Sequence, residues 1–280
     1  MSTHSHQPLP WLDAHCHLSD LRLADTSRTL IAESIQRGAT QLWLGGTDPE
    51  EWVRQIAIQA QFPEAIRTCF GLHPWWVARH WNQPEIIQQA LSAWDLECDQ
   101  ADLWGELGLD FGSKMDSNSF EAQKRAFIHQ LKRAQICDPN QAKPLVIHCV
   151  RAHSEVLALL KEYRPSHGYR GLVHAYASDL TTARRYLELG LVISFGGRAA
   201  RTEISEPLQA CIRGLKPGEF VIESDSPDQP PPGFEATGSR PWAVMSIAQK
   251  IAEIRSETLE QVLGACQKAA KNVLPSVVEA

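Results

Sequence analysis

The stretch PLVIHCVRAHSEVLALLKEY, Pro144–Tyr163, carries the unit from which the whole chain can be read. Leu145-Val146-Ile147 is a short apolar, β-branched run suited to a buried strand, and it ends on His148. Ser154–Tyr163 then takes up the spacing of an amphipathic helix. The same alternation extends in both directions. Candidate strands fall at Trp11–Ala14, Gln41–Leu44, Ile66–Phe70, Leu103–Glu106, Leu145–Ile147, Gly171–Val173, Val192–Phe195 and Phe220–Ile222. Helical spacing occupies Ser27–Arg37, Pro49–Gln61, Phe120–Ile136, Ser154–Tyr163, Leu180–Leu189 and Pro241–Arg255. Leu30, Ile31, Ser34 and Ile35 recur at three- and four-residue steps, as do Phe127, Ile128, Leu131 and Ala134, which gives each helix one face to bury. Strands alternating with helices imply parallel pairing through βαβ crossovers. Eight such units predict an α/β fold closed into a (β/α)8 TIM barrel. An open doubly wound sheet would require a Gly-rich phosphate turn after an early strand, and the sequence has none.

Length agrees with one barrel: the chain has 280 residues, and such a domain takes roughly 250. The expected layout is a disordered N-terminal tail over residues 1–10 and a single domain over residues 11–274. The Pro- and Gly-rich loop Ser224–Arg240 lies between the last strand and a helix, the place for the rim or lid of a site and not for a linker.

Lys and Arg total 27 against 33 Asp and Glu, a net charge of −6. This excludes a chain whose whole surface grips a nucleic-acid backbone, but not one with a local basic cleft. No stretch approaches the ~20 apolar residues of a membrane span, and Met1–Pro10 has no secretory pattern. The cysteines, at 16, 69, 98, 137, 149, 211 and 266, are odd in number and contain no C-x-x-C. They read as buried, reduced thiols of a cytoplasmic protein, not as a disulfide framework or a zinc site.

Chemistry gathers where strands end. Trp11–Ala14 runs into His15-Cys16-His17, Leu103–Gly105 into Glu106, Leu145–Ile147 into His148, Gly171–Val173 into His174, and Phe220–Ser224 into Asp225. In a parallel barrel those ends meet on one face around the axis. His15 and His17, two apart on an extended strand, point to one side and can reach one metal, with Cys16 turned away. His4-Ser5-His6 has the same spacing but no strand before it, and is read as surface. Six ligand-type side chains exceed what one tetrahedral ion needs. They suit two divalent ions, with Glu106 as the bridging carboxylate. No Lys lies at these strand ends to serve instead. Mixed imidazole and carboxylate donors suit Zn²⁺ or Mn²⁺ better than Mg²⁺.

The set D-A-H-C-H, G-L-H-P (Gly71–Pro74), G-E-L-G-L-D (Gly105–Asp110), V-I-H (Val146–His148), V-H-A-Y (Val173–Tyr176) and I-E-S-D-S-P (Ile222–Pro227) resembles the TatD family of metal-dependent hydrolases in the amidohydrolase superfamily. The resemblance spans about residues 10 to 272. It implies a TIM barrel, a two-metal site held by His15, His17, Glu106, His148, His174 and Asp225, and deoxyribonuclease activity. Departures fall in loops. Val150 and Arg151 stand where many members carry Arg two residues beyond the fifth strand's His, and Ala177-Ser178-Asp179 where many carry Gly. Gly238-Ser239-Arg240-Pro241 replaces Arg-Asn-x-Pro, and Asp228–Phe234 resembles one branch whose substrate is less clear.

The expected reaction is attack of an activated water on a phosphodiester of DNA, in the manner of a 3'-5' exonuclease. Asp225 would bind metal and accept the water's proton, and Glu106 would bridge. His73 and Arg151 are the candidate phosphate contacts, with His153 a weaker one. Asp110 is either a support for the Glu106 loop or a turn residue. Trp75, Trp76 and Trp81 either stack on nucleobases or pack in loops. Lys124, Arg125, Lys132 and Arg133 read as a solvated helix face. No obligate protein partner is inferred. The rival functions are hydrolysis of a small amide, ester or lactone with the same metals, and non-catalytic metal binding.

Overall fold

Strands alternate with helices or long loops in the computed structural model, which describes residues 8–275, except where the third strand is broken in two. His4, His6 and most of the expected tail lie outside the described residues. The strands are β1 (Trp11–Cys16), β2 (Ala39–Leu44), β3 (Ile66–Arg67), β4 (Cys69–Phe70), β5 (Leu103–Asp110), β6 (Leu145–Val150), β7 (Gly171–Val173), β8 (Leu191–Phe195) and β9 (Phe220–Ile222). All pair in parallel, in the orders β1-β2-β3 and β4-β5-β6-β7-β8-β9. β3 and β4 are the two halves of the third barrel strand. They are separated at Thr68, whose N–H leaves the ladder to donate to Asp102 Oδ2 at 2.9 Å. The ring closes between β9 and β1, where Asp225 N donates to His15 O at 3.0 Å and His17 N to Ser226 O at 2.7 Å. The fold is a (β/α)8 TIM barrel in one domain.

Around the strands run α1 (Ser27–Gln36), α2 (Pro49–Gln59), α3 (Pro74–Arg79), α4 (Pro84–Glu97), α5 (Phe120–Ile136), α6 (His153–Glu162), α7 (Leu180–Leu187), α8 (Glu206–Gly214), α9 (Val244–Arg255) and α10 (Leu259–Val273). The expected helices recur within a few residues. Pro241–Ala243, read as the start of one of them, instead forms a separate 3-10 turn ahead of α9.

Leu12 and Ala14, Trp43, Cys69, Leu103, Val146, Leu172, Val192 and Val221, from β1, β2 and β4 to β9, fill the barrel's interior. Trp43 fits there because its indole N–H donates to Gln41 Oε1 at 2.9 Å, so no donor is stranded. Ala269, Ala270 and Val273 of α10, with Leu274 just beyond it, close this core at the strands' N-terminal end. α10 itself starts from a capping box between Thr258 and Gln261. Full burial of each large aliphatic side chain here contributes about 1.5–3 kcal/mol. The other end of the barrel is polar, and it holds the site.

Strand phase decides which side chains arrive there. On β6 to β9 the residue two beyond the core position points into the same space: Val146 leads to His148, Leu172 to His174, Val192 to Ser194, and Val221 to Glu223. On β1 and β5 simple alternation fails. Asp13 pairs with Leu42 but Cys16 with Leu44, and Trp104 pairs with Leu145 but Leu107 with Ile147. At these points each strand has one residue more than its neighbour, a β-bulge, which on β1 offsets the opposite shift between Trp11 and Leu12, paired with Ala39 and Gln41. The bulges bring His15 inward one residue beyond Ala14, and Glu106 three beyond Leu103.

Candidate metal centre

Glu106 stands at the middle of the polar end, completely buried, and its two oxygens address different neighbours. Oε2 lies 2.7 Å from His15 Nε2 and 3.3 Å from His17 Nε2. Oε1 lies 2.9 Å from His73 Nε2, 3.2 Å from His148 Nδ1 and 3.4 Å from His174 Nε2. Asp225 Oδ1 completes the first group, 3.4 Å from His17 Nε2 and 3.9 Å from His15 Nε2. All six expected ligands are therefore together, with His73 as a seventh member.

The donors are arranged as a cation would arrange them. A tetrahedral ion with bonds of about 2.0–2.1 Å needs neighbouring donors about 3.3 Å apart. In the first group the separations run from 2.7 Å to 3.9 Å, with the His15 and His17 Nε2 atoms 3.2 Å apart. In the second, His148 Nδ1 and His174 Nε2 are 3.1 Å apart. Glu106 Oε2 is buried with no hydrogen-bond donor, and so is His15 Nδ1 with no partner. A buried carboxylate oxygen left unbonded is costly unless something positive meets it. These imidazoles and carboxylates form groups that could hold a divalent metal ion, and the donor set is of the kind such ions take.

Supporting groups fix which ring nitrogen each histidine presents. Asp110 Oδ2 lies 3.2 Å from His148 Nε2, leaving Nδ1 toward Glu106. Glu223 Oε1 lies 3.2 Å from His174 Nδ1, leaving Nε2 toward Glu106. Glu223 is itself tied down: it accepts from Ala175 N at 2.6 Å and from the Ser194 hydroxyl. His73 differs. Its Nδ1 accepts from Trp75 N at 2.9 Å, so the proton of the neutral ring sits on Nε2. That makes Nε2 a donor toward Glu106 and not a lone pair for a metal.

Charge follows the geometry. Burial raises the cost of ionising Glu106, yet His174, His73 and His15 around it hold its carboxyl well below the usual range. Asp225 is brought down to about 2 against burial, chiefly by its contact with His17. Asp110 is likewise held at about 2, by His148 and Trp75. Burial works against the histidine charges too, but Glu106 and Glu223 carry His174 up to about 9, and Asp225 and Glu106 carry His17 well up. His73 goes the other way, to about 4, because burial outweighs Glu106. Without a cation, the cluster thus holds protons where metal charge would sit.

Arg151 stands exposed at the end of β6, at φ 53°, and its side chain makes no ion pair among the described residues. His153 is apart from the cluster, with Nδ1 3.0 Å from Tyr186 Oη and 3.2 Å from Cys149 Sγ. Trp76 packs against His80, ring centroids 4.2 Å apart, whereas Trp75 borders the cluster. The expected rim loop reaches the site through Gln229, whose Nε2 donates to Asp225 Oδ2 at 2.5 Å. On the basic helix face, Arg133 pairs with Asp99 at 2.7 Å and Lys124 covers the Phe111 ring.

Sequence reading missed Glu223 and Gly45. Glu223 was legible by alternation, two residues before Asp225 and two after Val221. Gly45 was not: a Cβ there would lie 2.5 Å from His15 Cε1 and 2.7 Å from His17 Cε1, so the missing side chain makes room for both rings.

The family model described as TatD related DNase matches residues 12–275. The chain belongs to the TatD related DNase family. Among relatives of this chain, the metal-dependent hydrolase YjjV of Escherichia coli K12 is 27% identical over 254 residues, covering 90% of this chain and 93% of that protein. The 3'-5' ssDNA/RNA exonuclease TatD of Dickeya dadantii is 25% identical over 254 residues, covering 89% and 91%. The crystal structure of the Escherichia coli K12 YjjV protein superposes with a TM-score of 0.81 at 24% identity, covering 95% of this chain and 98% of that one, which establishes the shared fold. This TatD-family chain is a metal-dependent hydrolase. Among the described residues, no helix is long and apolar enough to cross a membrane.

Proposed function

We propose that this protein is a two-metal phosphodiesterase of the deoxyribonuclease type, removing nucleotides from the 3' end of DNA. The observation that carries the reading is the division of Glu106, one oxygen in each of two donor groups. His15, His17, Asp225 and Glu106 would hold one ion, and His148, His174 and Glu106 the other. When bound, divalent metal would supply Lewis-acid charge that lowers the pKa of water and neutralises phosphoryl oxygens.

The chain's own groups supply the rest. Asp225 keeps Oδ1 toward His15 and His17 while Gln229 restrains Oδ2. A carboxylate so held would orient the attacking water and take its proton. His73, neutral and with its proton on Nε2 toward Glu106 Oε1, would steady that carboxylate beside the incoming phosphate. Arg151, exposed and unpaired among the described residues, would meet the phosphate from the end of β6. The exonuclease name of the Dickeya dadantii relative supports a nucleic-acid substrate.

The test is hydrolysis of a single-stranded oligonucleotide labelled at either end, before and after chelation and after Mn²⁺ or Zn²⁺ is returned. Activity should vanish with the metal and return with it, shortening the strand from its 3' end. Asp225→Asn should not respond to metal. Hydrolysis that persists through chelation would refute the mechanism. The net charge of −6 gives some support to the rival, a small amide, ester or lactone. A panel of such compounds, assayed with metal, separates the two.

A further inference from the structure

Among the nine tryptophans, Trp11, Trp43, Trp52, Trp94 and Trp104 are fully buried, and Trp75 is the most exposed at 47%. An exposed indole forgoes about 25 cal/mol for each Å² of apolar surface left in water. This one is nevertheless held in place. Its N–H donates to Asp110 Oδ2 at 2.6 Å, the same oxygen that meets His148 Nε2. Its backbone N–H donates to His73 Nδ1. Its ring stands edge-on to His73, centroids 5.3 Å apart, and to His148 at 6.2 Å. Trp75 is thus a wall of the donor cluster, fixed by two hydrogen bonds and still presenting nearly half its surface to solvent.

We infer that Trp75 is a stacking platform for an unpaired nucleobase attached to the phosphate that enters the site. This rests on the phosphodiesterase reading, and it requires a base with a free face, which a paired base does not offer. A rigid aromatic surface loses little conformational freedom when a flat ring settles on it, and such stacking is sequence-tolerant because every base has a π-face. The neighbouring Trp76 is spent against His80 and does not compete for the role.

The test compares binding of thymidine 5'-monophosphate and methyl phosphate to the Mn²⁺-loaded full chain by calorimetry. Base stacking is worth about 1–3 kcal/mol, so the nucleotide should bind about tenfold more tightly. Trp75→Leu should bring that ratio close to one, and Trp75→Phe, which keeps a ring but loses the bond to Asp110, should retain most of it. A wild-type ratio near one, a ratio that survives in Trp75→Leu, or equal loss in Trp75→Phe and Trp75→Leu would each overturn the assignment. Failure of the phosphodiesterase reading looks different: oligonucleotides would go uncut while the nucleotide preference stood.

Discussion

Glu223 meets His174 at Nδ1, 3.2 Å away, and so turns Nε2 of the same ring toward Glu106. Asp110 does the reverse for His148, meeting Nε2 and freeing Nδ1. Two histidines from adjacent strands therefore present different nitrogens to one carboxylate oxygen. A carboxylate behind an imidazole fixes its tautomer and makes it a better metal donor.

Glu223→Gln keeps the size of the side chain and removes its charge. Metal affinity should fall about 10- to 100-fold, the usual effect of losing such support. Titration against a chromophoric chelator measures it. Unchanged affinity would mean that His174 is oriented by other contacts.

Glu106→Gln removes the shared carboxylate from both donor groups. The purified variant should hold fewer than two ions per chain by elemental analysis. Its hydrolysis should drop on the order of 10³-fold, since the loss of metal charge at a reacting phosphate is worth several kcal/mol. Full occupancy in this variant would show that Glu106 bridges nothing.

Protons and metal compete for the cluster. His174 is raised to about 9 in the folded, metal-free chain, against the ordinary 6.5. A raised histidine pKa stabilises the fold fully below about 6.5, and that contribution is lost as pH climbs through 9. The metal-free protein should accordingly lose thermal stability over this window. Metal displaces the same protons, so its apparent affinity should rise by up to about tenfold per pH unit for each proton released. Melting curves from pH 6 to 9, with and without Mn²⁺, check both trends; a metal-induced shift that shrank with rising pH would contradict them.

Gly45→Ala should damage the site more than the fold. The added methyl would lie 2.5 Å from the His15 ring, and overpacking of this kind costs about 1–3 kcal/mol. Metal binding should weaken while the circular dichroism of the barrel persists. Binding equal to the wild type would show that both rings can move aside at no cost.

Much of this was legible along the chain, because strand and helix periods are local. Val146 and His148, or Leu172 and His174, lie two apart, and alternation alone places the second above the first. The amphipathic spacing of Phe120–Ile136 gave α5 to the residue. Short, buried strands do not announce their irregularities, however. Nothing in Trp11–Cys16 says that three residues will span what two span on the neighbouring strand, or that Leu103 and Glu106 will face the same way.

The sequence by itself determined the βα alternation, the barrel it closes into, and the six polar residues at the strand ends, since each depends on residue types and spacing within a few positions. Tertiary structure alone decided which imidazoles each oxygen of Glu106 would meet, that His73 would turn its Nε2 toward Glu106, that Glu223 would contact His174, and that Gly45 would clear space for His15. Those outcomes depend on bulges, on ring orientation and on contacts between residues up to about 200 positions apart, as between Asp13 and Ser224 at 2.8 Å. No local pattern encodes them, because they are set only when the first and last strands meet.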